Sequence, residues 1–144
     1  MKLGVFSAME VAASGLSAER TRMNVIASNL ANARTTKTEG GGPYKKLDPV
    51  FAAVPLGAGT TTTSGENGVS LVRVERIAQD KRDPQLVYEP GHPDADAQGY
   101  VRYPNVNVVE EMVNMITASR AYEAGATSVE SVKSMARTAL GIGR

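Results

Sequence analysis

The residue with the greatest potential for chemistry is His92, the single histidine of the chain. A hydrolytic triad would use it as the imidazole base, together with a nucleophile on a motif such as Gly-x-Ser-x-Gly, and the sequence contains no such motif. His92 stands between Gly91 and Pro93, which are residue types that favour a tight turn. We therefore interpret His92 as a structural turn residue, and we predict that the chain is not an enzyme.

Two further segments resemble ligand sites only in part. Asp94 and Asp96 begin like an EF-hand loop, but Asn105 occupies the position of the bidentate glutamate. Residues 40–43 are rich in glycine, yet no Lys-Ser or Lys-Thr pair follows them, as a phosphate-binding loop requires. We expect the two aspartates to stabilise turns through Asx-type hydrogen bonds, and we predict neither a metal nor a cofactor.

Composition limits the class of protein further. The 144 residues suffice for one domain with a modest core, because only 5% are aromatic. The net charge of +1 argues against nucleic acid as a partner, and no apolar run is long enough to span a membrane. The absence of cysteine excludes disulfides and thiolate metal sites, and it is compatible with any redox compartment.

Residues 1–34 are predicted to form a long amphipathic helix, because apolar residues recur at alternating steps of three and four. Ser7 and Glu10 have the spacing of a capping box at its start. Glu19 falls on the apolar seam, where a charge either reaches solvent at the edge or sets the register against a specific partner. The continuing heptad indicates that this segment belongs to the mature protein rather than to a cleaved signal peptide.

Residues 105–144 contain the clearest helical pattern of the chain. Asn105 or Asn107 is expected to cap this helix, and acidic residues in its first turn suit the helix dipole. Gly125 interrupts the pattern as a weak point. The seams of both terminal helices together define a candidate assembly interface. Its predicted members are Met9, Leu16, Met23, Ile26, Leu30, Val109, Met112, Val113, Met115, Ile116, Tyr122, Val129 and Leu140.

Residues 35–104 form a central region of short strands and loops. Alternating patterns predict strands within 44–54, where Asp48-Pro49 is expected to interrupt the strand, and at 69–78, 86–88 and 100–103. Residues 56–68 are rich in Gly and Thr and read as a loop tip. The predicted fold is mainly α with a small β-rich middle, in which the N- and C-terminal helices pair as a coiled-coil hairpin.

Three segments carry a resemblance to a known family. Residues 14–36 (SGLSAERTRMNVIASNLANARTT) resemble the N-terminal motif of bacterial flagellar rod and hook proteins. Residues 88–116 (YEPGHPDADAQGYVRYPNVNVVEEMVNMI) are similar to a proximal-rod member of that family, and residues 118–124 (ASRAYEA) continue the match. The central residues 37–87 carry little of this signal.

The resemblance implies a structural subunit of the flagellar basal-body rod, which crosses the periplasm and transmits torque from motor to hook. In this family the terminal helices line the export channel and the middle forms a β-rich outer part. The implied partners are other rod subunits, copies of the same chain and the flagellar type III export apparatus, through which members pass without a cleaved signal peptide. The alternative from the residues is a soluble coiled-coil adaptor or export chaperone, which would not need the β-rich middle.

Overall fold

The computed structural model describes residues 5–55 and 69–142. In sequence, one long helix precedes a small β-rich middle and a second long helix follows it. The elements are α1 (Val5–Ala31), β1 (Leu47–Pro55), β2 (Ser70–Gln79), β3 (Gln85–Tyr88), β4 (Tyr100–Tyr103) and α2 (Val108–Ile142). This order confirms the predicted fold class. The predicted loop tip at residues 56–68 lies outside the described residues.

The two helices pack antiparallel against each other. Asn29, near the end of α1, donates a hydrogen bond to Glu111 at the start of α2. Half the helix length away, a Cβ on Gly125 of α2 would lie 3.0 Å from Leu16 Cδ2 of α1. Moving backward along α1 therefore corresponds to moving forward along α2, so the helices form the predicted hairpin.

The helix ends agree with the sequence prediction in one case and differ in the other. Asn107 caps α2, because its Oδ1 accepts hydrogen bonds from the backbone N–H groups of Val109 and Glu110 at 3.1 and 3.3 Å. The predicted cap of α1 is wrong. α1 already includes Val5 and Phe6, so Ser7 lies inside the helix rather than at its boundary.

The first β-hairpin pairs β1 with β2 in antiparallel register, from Leu47 opposite Gln79 to Pro55 opposite Ser70. The predicted interruption at Asp48-Pro49 is wrong, since β1 runs through both residues. Within the described part of the chain this sheet has two strands, so one edge of β1 has no partner strand there, and a proline without an N–H is tolerated on such an edge. A bulge beside Val50 and Phe51 leaves Glu75 of β2 without a partner in the register.

The second hairpin pairs β3 with β4, and Tyr88 lies opposite Tyr100. Gly99, which precedes β4, has a φ of +84°, and a Cβ at this position would lie 2.8 Å from Tyr88 Cε2. Both the backbone conformation and the close contact therefore require glycine here. On the other face of β4, Val101 is fully buried.

The core between these elements is small and contains few large side chains. Its buried apolar residues are Ala18, Val25, Ile26, Val101, Val106 and Ala118. The interpretation of Gly125 as a weak point is incomplete, because its missing side chain makes room for Leu16. The small residues Ala18, Ala118 and Gly125 let the helices approach closely, while several larger apolar side chains remain exposed to solvent.

Candidate assembly interface and the junction that supports it

A buried polar junction joins the two helices to the start of β1. Its centre is the Asn29 side chain, whose residue is 1% exposed. Asn29 Nδ2 donates to Glu111 Oε2 at 2.9 Å and to the Leu47 carbonyl at 2.8 Å. Asn29 Oδ1 accepts from the Leu47 N–H at 2.9 Å and from the Tyr44 hydroxyl at 3.0 Å. One side chain thus connects α1, α2 and the segment between them.

Lys46 balances the charge of this junction. Its Nζ lies 3.0 Å from Glu111 Oε1, 3.7 Å from Asp48 and 3.9 Å from Glu110. Burial opposes the charged ammonium, but the hydrogen bond to Glu111 and the nearby carboxylates outweigh it and raise the pKa of Lys46. The stabilisation from this pairing is therefore complete below about pH 10.5, the ordinary lysine value, and is lost as the pH rises through the higher folded pKa.

The sequence prediction missed this junction. Glu111 is one of the acidic residues in the first turn of α2 that were expected to suit the helix dipole, but it is 1% exposed and bonded to Asn29 of α1 and to Lys46, which precedes β1. Asn29 and Glu111 both fall inside the segments that resemble rod and hook proteins, whereas Lys46 does not. The resemblance therefore included Asn29 of α1 and Glu111 of α2, but no sequence pattern indicated that these two side chains are in contact.

The first turns of α2 present an exposed apolar surface, which we name the α2 stripe and define as Val109, Met112, Val113 and Ile116. Their exposed fractions are 70%, 55%, 58% and 58%. Positions 109, 113 and 116 lie on one line along the helix, and Met112 broadens it. All four belong to the predicted interface, and they face away from the core of the chain.

The remaining predicted interface residues fall into two groups. In one group the side chains are buried or half-buried: Met9, Leu16, Met23, Ile26, Leu30, Met115 and Val129. Tyr122 and Leu140 remain exposed, like the α2 stripe. For α2 the sequence predicted a single apolar seam, but the structure shows two faces. One face packs against the rest of the chain, and the other, which carries the α2 stripe, is exposed.

A groove of about 440 Å³ runs between α1, α2 and the first hairpin. It is lined by Ala8, Val11, Ala12, Gly15, Leu16, Ala18, Glu19, Phe51, Val72, Ala121, Gly125, Ser128 and Val132. Glu19 is the one charged residue in this lining, and its Oε2 is buried with no hydrogen-bond donor among the residues that the structure describes. The Val72 N–H is bound to Ser14 Oγ at 3.1 Å, which holds the hairpin against α1.

The residues first considered for chemistry occupy turns. His92 Nδ1 accepts a hydrogen bond from the Asp94 N–H at 3.1 Å. Asp96 Oδ1 accepts from the N–H groups of Gln98 and Tyr100 at 2.9 Å, which confirms the predicted Asx-type turn for Asp96. The prediction is wrong for Asp94, whose Oδ2 accepts from the Thr36 hydroxyl at 2.7 Å. Within residues 5–55 and 69–142, no three His, Asp or Glu side chains are placed to hold a metal ion. No helix in the same ranges is both long and apolar enough to cross a membrane.

Comparison with known proteins identifies both ends of the chain. Residues 9–37 match the family model described as "Flagella basal body rod protein". Residues 97–142 match the model described as "Flagellar basal body rod FlgEFG protein C-terminal". The first match covers most of α1, and the second covers β4 and α2, including the α2 stripe.

Full-length relatives extend this similarity over the central hairpins. The "Flagellar basal-body rod protein FlgC" of Borreliella burgdorferi is 47% identical over 97% of this chain and 98% of its own length. The protein of that name in Escherichia coli O6:H1 is 40% identical over 99% and 100% of the two chains, and that of Bacillus subtilis is 37% identical over 96% and 98%. The chain therefore belongs to the FlgC family of flagellar basal-body rod proteins.

Proposed function

We propose that this chain is a non-enzymatic structural subunit of the flagellar rod, which assembles through the outward faces of its terminal helices. The observation that carries the proposal is the α2 stripe, four large apolar side chains that are each more than half exposed. Removing an exposed apolar surface of this kind from water is favourable, so a protein partner that covers it binds with a gain in free energy. The soluble adaptor or export chaperone, considered as an alternative, is not supported by relatives that are named as rod proteins.

The partners that follow from this proposal are other rod subunits and copies of the same chain. The exposed members of the predicted interface, namely the α2 stripe with Tyr122 and Leu140, make contacts between subunits. The buried and half-buried residues of the predicted interface hold α1 and α2 together, so that the outward surface of α2 has a fixed shape. Residues 1–34 and 105–144 then form the assembly core, and residues 35–104 form the outer part.

The location follows from the same proposal. The subunit passes through the flagellar type III export apparatus without a cleaved signal peptide and is built into the rod in the periplasm. There the terminal helices line the export channel, and the rod transmits torque from the motor to the hook. The support for these points is membership of the FlgC family and an apolar pattern that continues through residues 5–31.

Purified basal bodies provide the test. We expect them to contain the chain, and we expect its residues 2–34 to be recovered intact by peptide mass spectrometry. Cells without the gene should lack a rod and a hook, and the gene supplied in trans should restore both. A chain that is found only in the cytoplasm, or that is recovered without its first 20 or so residues, would contradict the proposal.

A further inference from the structure

The groove between the helices and the first hairpin has the length of a short helical segment. Along α1 it extends from Ala8 to Glu19, and along α2 from Ala121 to Val132. Eleven helical steps of about 1.5 Å give each wall a length of roughly 16 Å. The lining is mostly apolar, and Gly15 leaves open space at its middle, since a Cβ there would have no neighbour within 4 Å.

Glu19 gives one end of this groove a defined electrostatic requirement. Its Oε2 is buried and accepts no hydrogen bond from residues 5–55 and 69–142, where the nearest cation is Arg22 Nη1 at 3.7 Å. A carboxylate oxygen that is removed from water without a donor is unfavourable. A partner that brings a guanidinium or ammonium group to this end of the groove would satisfy it.

The outward face of α2 has the complementary features over the same length. Val109, Val113, Ile116 and Arg120 succeed one another at steps of four, three and four, which places them on one line along the helix. The distance from Val109 to Arg120 is again eleven helical steps, roughly 16 Å. Arg120 is exposed and forms no ion pair within the described residues.

We infer that the α2 stripe of a second copy of this chain occupies the groove, with the second copy's Arg120 beside Glu19. This inference rests on the proposed rod function, and it names the partner and the register of that contact. Ile116 of the second copy then lies near Gly15, and its Val109 lies near Ala8. Because groove and stripe are different surfaces, the contact is head-to-tail and can continue from copy to copy.

Disulfide crosslinking tests this register, because the chain contains no cysteine of its own. Gly15→Cys combined with Ile116→Cys should give covalent dimers and longer multimers when purified basal bodies are oxidised, because every copy carries both cysteines. Within one chain these positions are out of reach, because Gly15 lies opposite residues near 125, about nine helical steps or roughly 14 Å from Ile116. Gly15→Cys combined with Met135→Cys should give no dimer, because Met135 is equally exposed but lies outside the stripe.

Each outcome of the crosslinking has one meaning. Dimers with position 116 and none with position 135 support the inference. If the intramolecular pair Ile26→Cys with Met115→Cys is oxidised but the 15/116 pair yields no dimer, the groove contact is wrong while the rod function stands. A crosslink from Gly15→Cys to a different rod protein also overturns the inference, since the occupant is then not a second copy.

Charge reversal tests the same contact in cells. Glu19→Arg and Arg120→Glu should each cause a loss of motility, because each places two like charges together at one end of the groove. The double variant should recover motility, since the pair is restored with its signs exchanged. A double variant that is as defective as the single variants, or single variants that swim normally, would overturn the inference. Either of these two results would leave the proposed function as a rod subunit unchanged.

Discussion

Replacing Glu111 with alanine should destabilise the isolated chain by about 3 kcal/mol, the lower end of the cost of breaking a buried ion pair. The change removes one of the two acceptors of Asn29 Nδ2, while the Leu47 carbonyl remains, and it leaves Lys46 buried without its nearest carboxylate. The cost stays at the lower end because Asp48 and Glu110 remain within 4 Å of Lys46 Nζ. With a urea m value of about 2 kcal/mol/M, the unfolding midpoint should fall by roughly 1.5 M.

The neighbouring residue provides a matched control for this result. Glu110→Ala makes the same chemical change in the same helical turn, but that side chain is 57% exposed and 3.9 Å from Lys46. Its effect should stay within about 0.5 kcal/mol, as for other exposed ion pairs. Combining Glu111→Leu with Lys46→Met should recover much of the loss, because neither charge is then left alone in the interior. Equal losses for Glu110→Ala and Glu111→Ala would contradict the role assigned to the junction.

Ile116→Asp should abolish rod formation while it leaves the isolated subunit folded. In the free chain this side chain is 58% exposed, so the substitution should change the free energy of unfolding by less than about 1 kcal/mol. In the assembly the carboxylate would be buried without a partner, at a cost of several kcal/mol. We expect non-motile cells without complete basal bodies, as seen by swimming assays and electron microscopy, at normal levels of the protein.

Thr127→Asp is the control for Ile116→Asp, because it introduces the same charge at an exposed position of the same helix, outside the stripe. Cells that carry it should form basal bodies and swim. If Ile116→Asp cells swim normally, the α2 stripe is not an assembly surface. If purified Ile116→Asp protein is unfolded, the residue acts within the subunit and the proposed division between the two faces of α2 is wrong.

The elements of the fold could be predicted to a large extent from local patterns. The periodicity of three and four located both helices, and alternation located β2 and the residues of β4. The strand through Pro49 was not predicted, because the cost of a proline depends on whether its edge of the strand is paired. That information lies in the number of strands in the sheet, which no local pattern contains.

The junction could not be predicted for a related reason. Asn29, Lys46 and Glu111 are far apart in the sequence, and each alone resembles an ordinary exposed polar residue. Their burial results from the antiparallel packing of α1 on α2, which brings residues 82 positions apart to 2.9 Å. A polar side chain is stable in this buried position only because folding places its hydrogen-bond and ion-pair partners beside it.

The face of α2 that packs within the chain was also difficult to predict. Hydrophobic periodicity selects the positions with the largest apolar side chains, such as Met112 and Ile116. In the structure these lie outside, and the face toward α1 carries Glu111, Ala118 and Gly125. Close packing of two helices favours small residues, whereas large apolar residues remain available for a partner.

The most direct test of the central claim, that the outward face of α2 is covered in the rod, is the reactivity of one cysteine at Val113. In the purified subunit, Val113→Cys should react readily with a maleimide reagent, because Val113 is 58% exposed. In intact basal bodies the same cysteine should be protected, whereas Glu75→Cys on β2, whose side chain is 56% exposed, should react in both states. Equal reactivity of Val113→Cys in the free subunit and in the rod would contradict the claim.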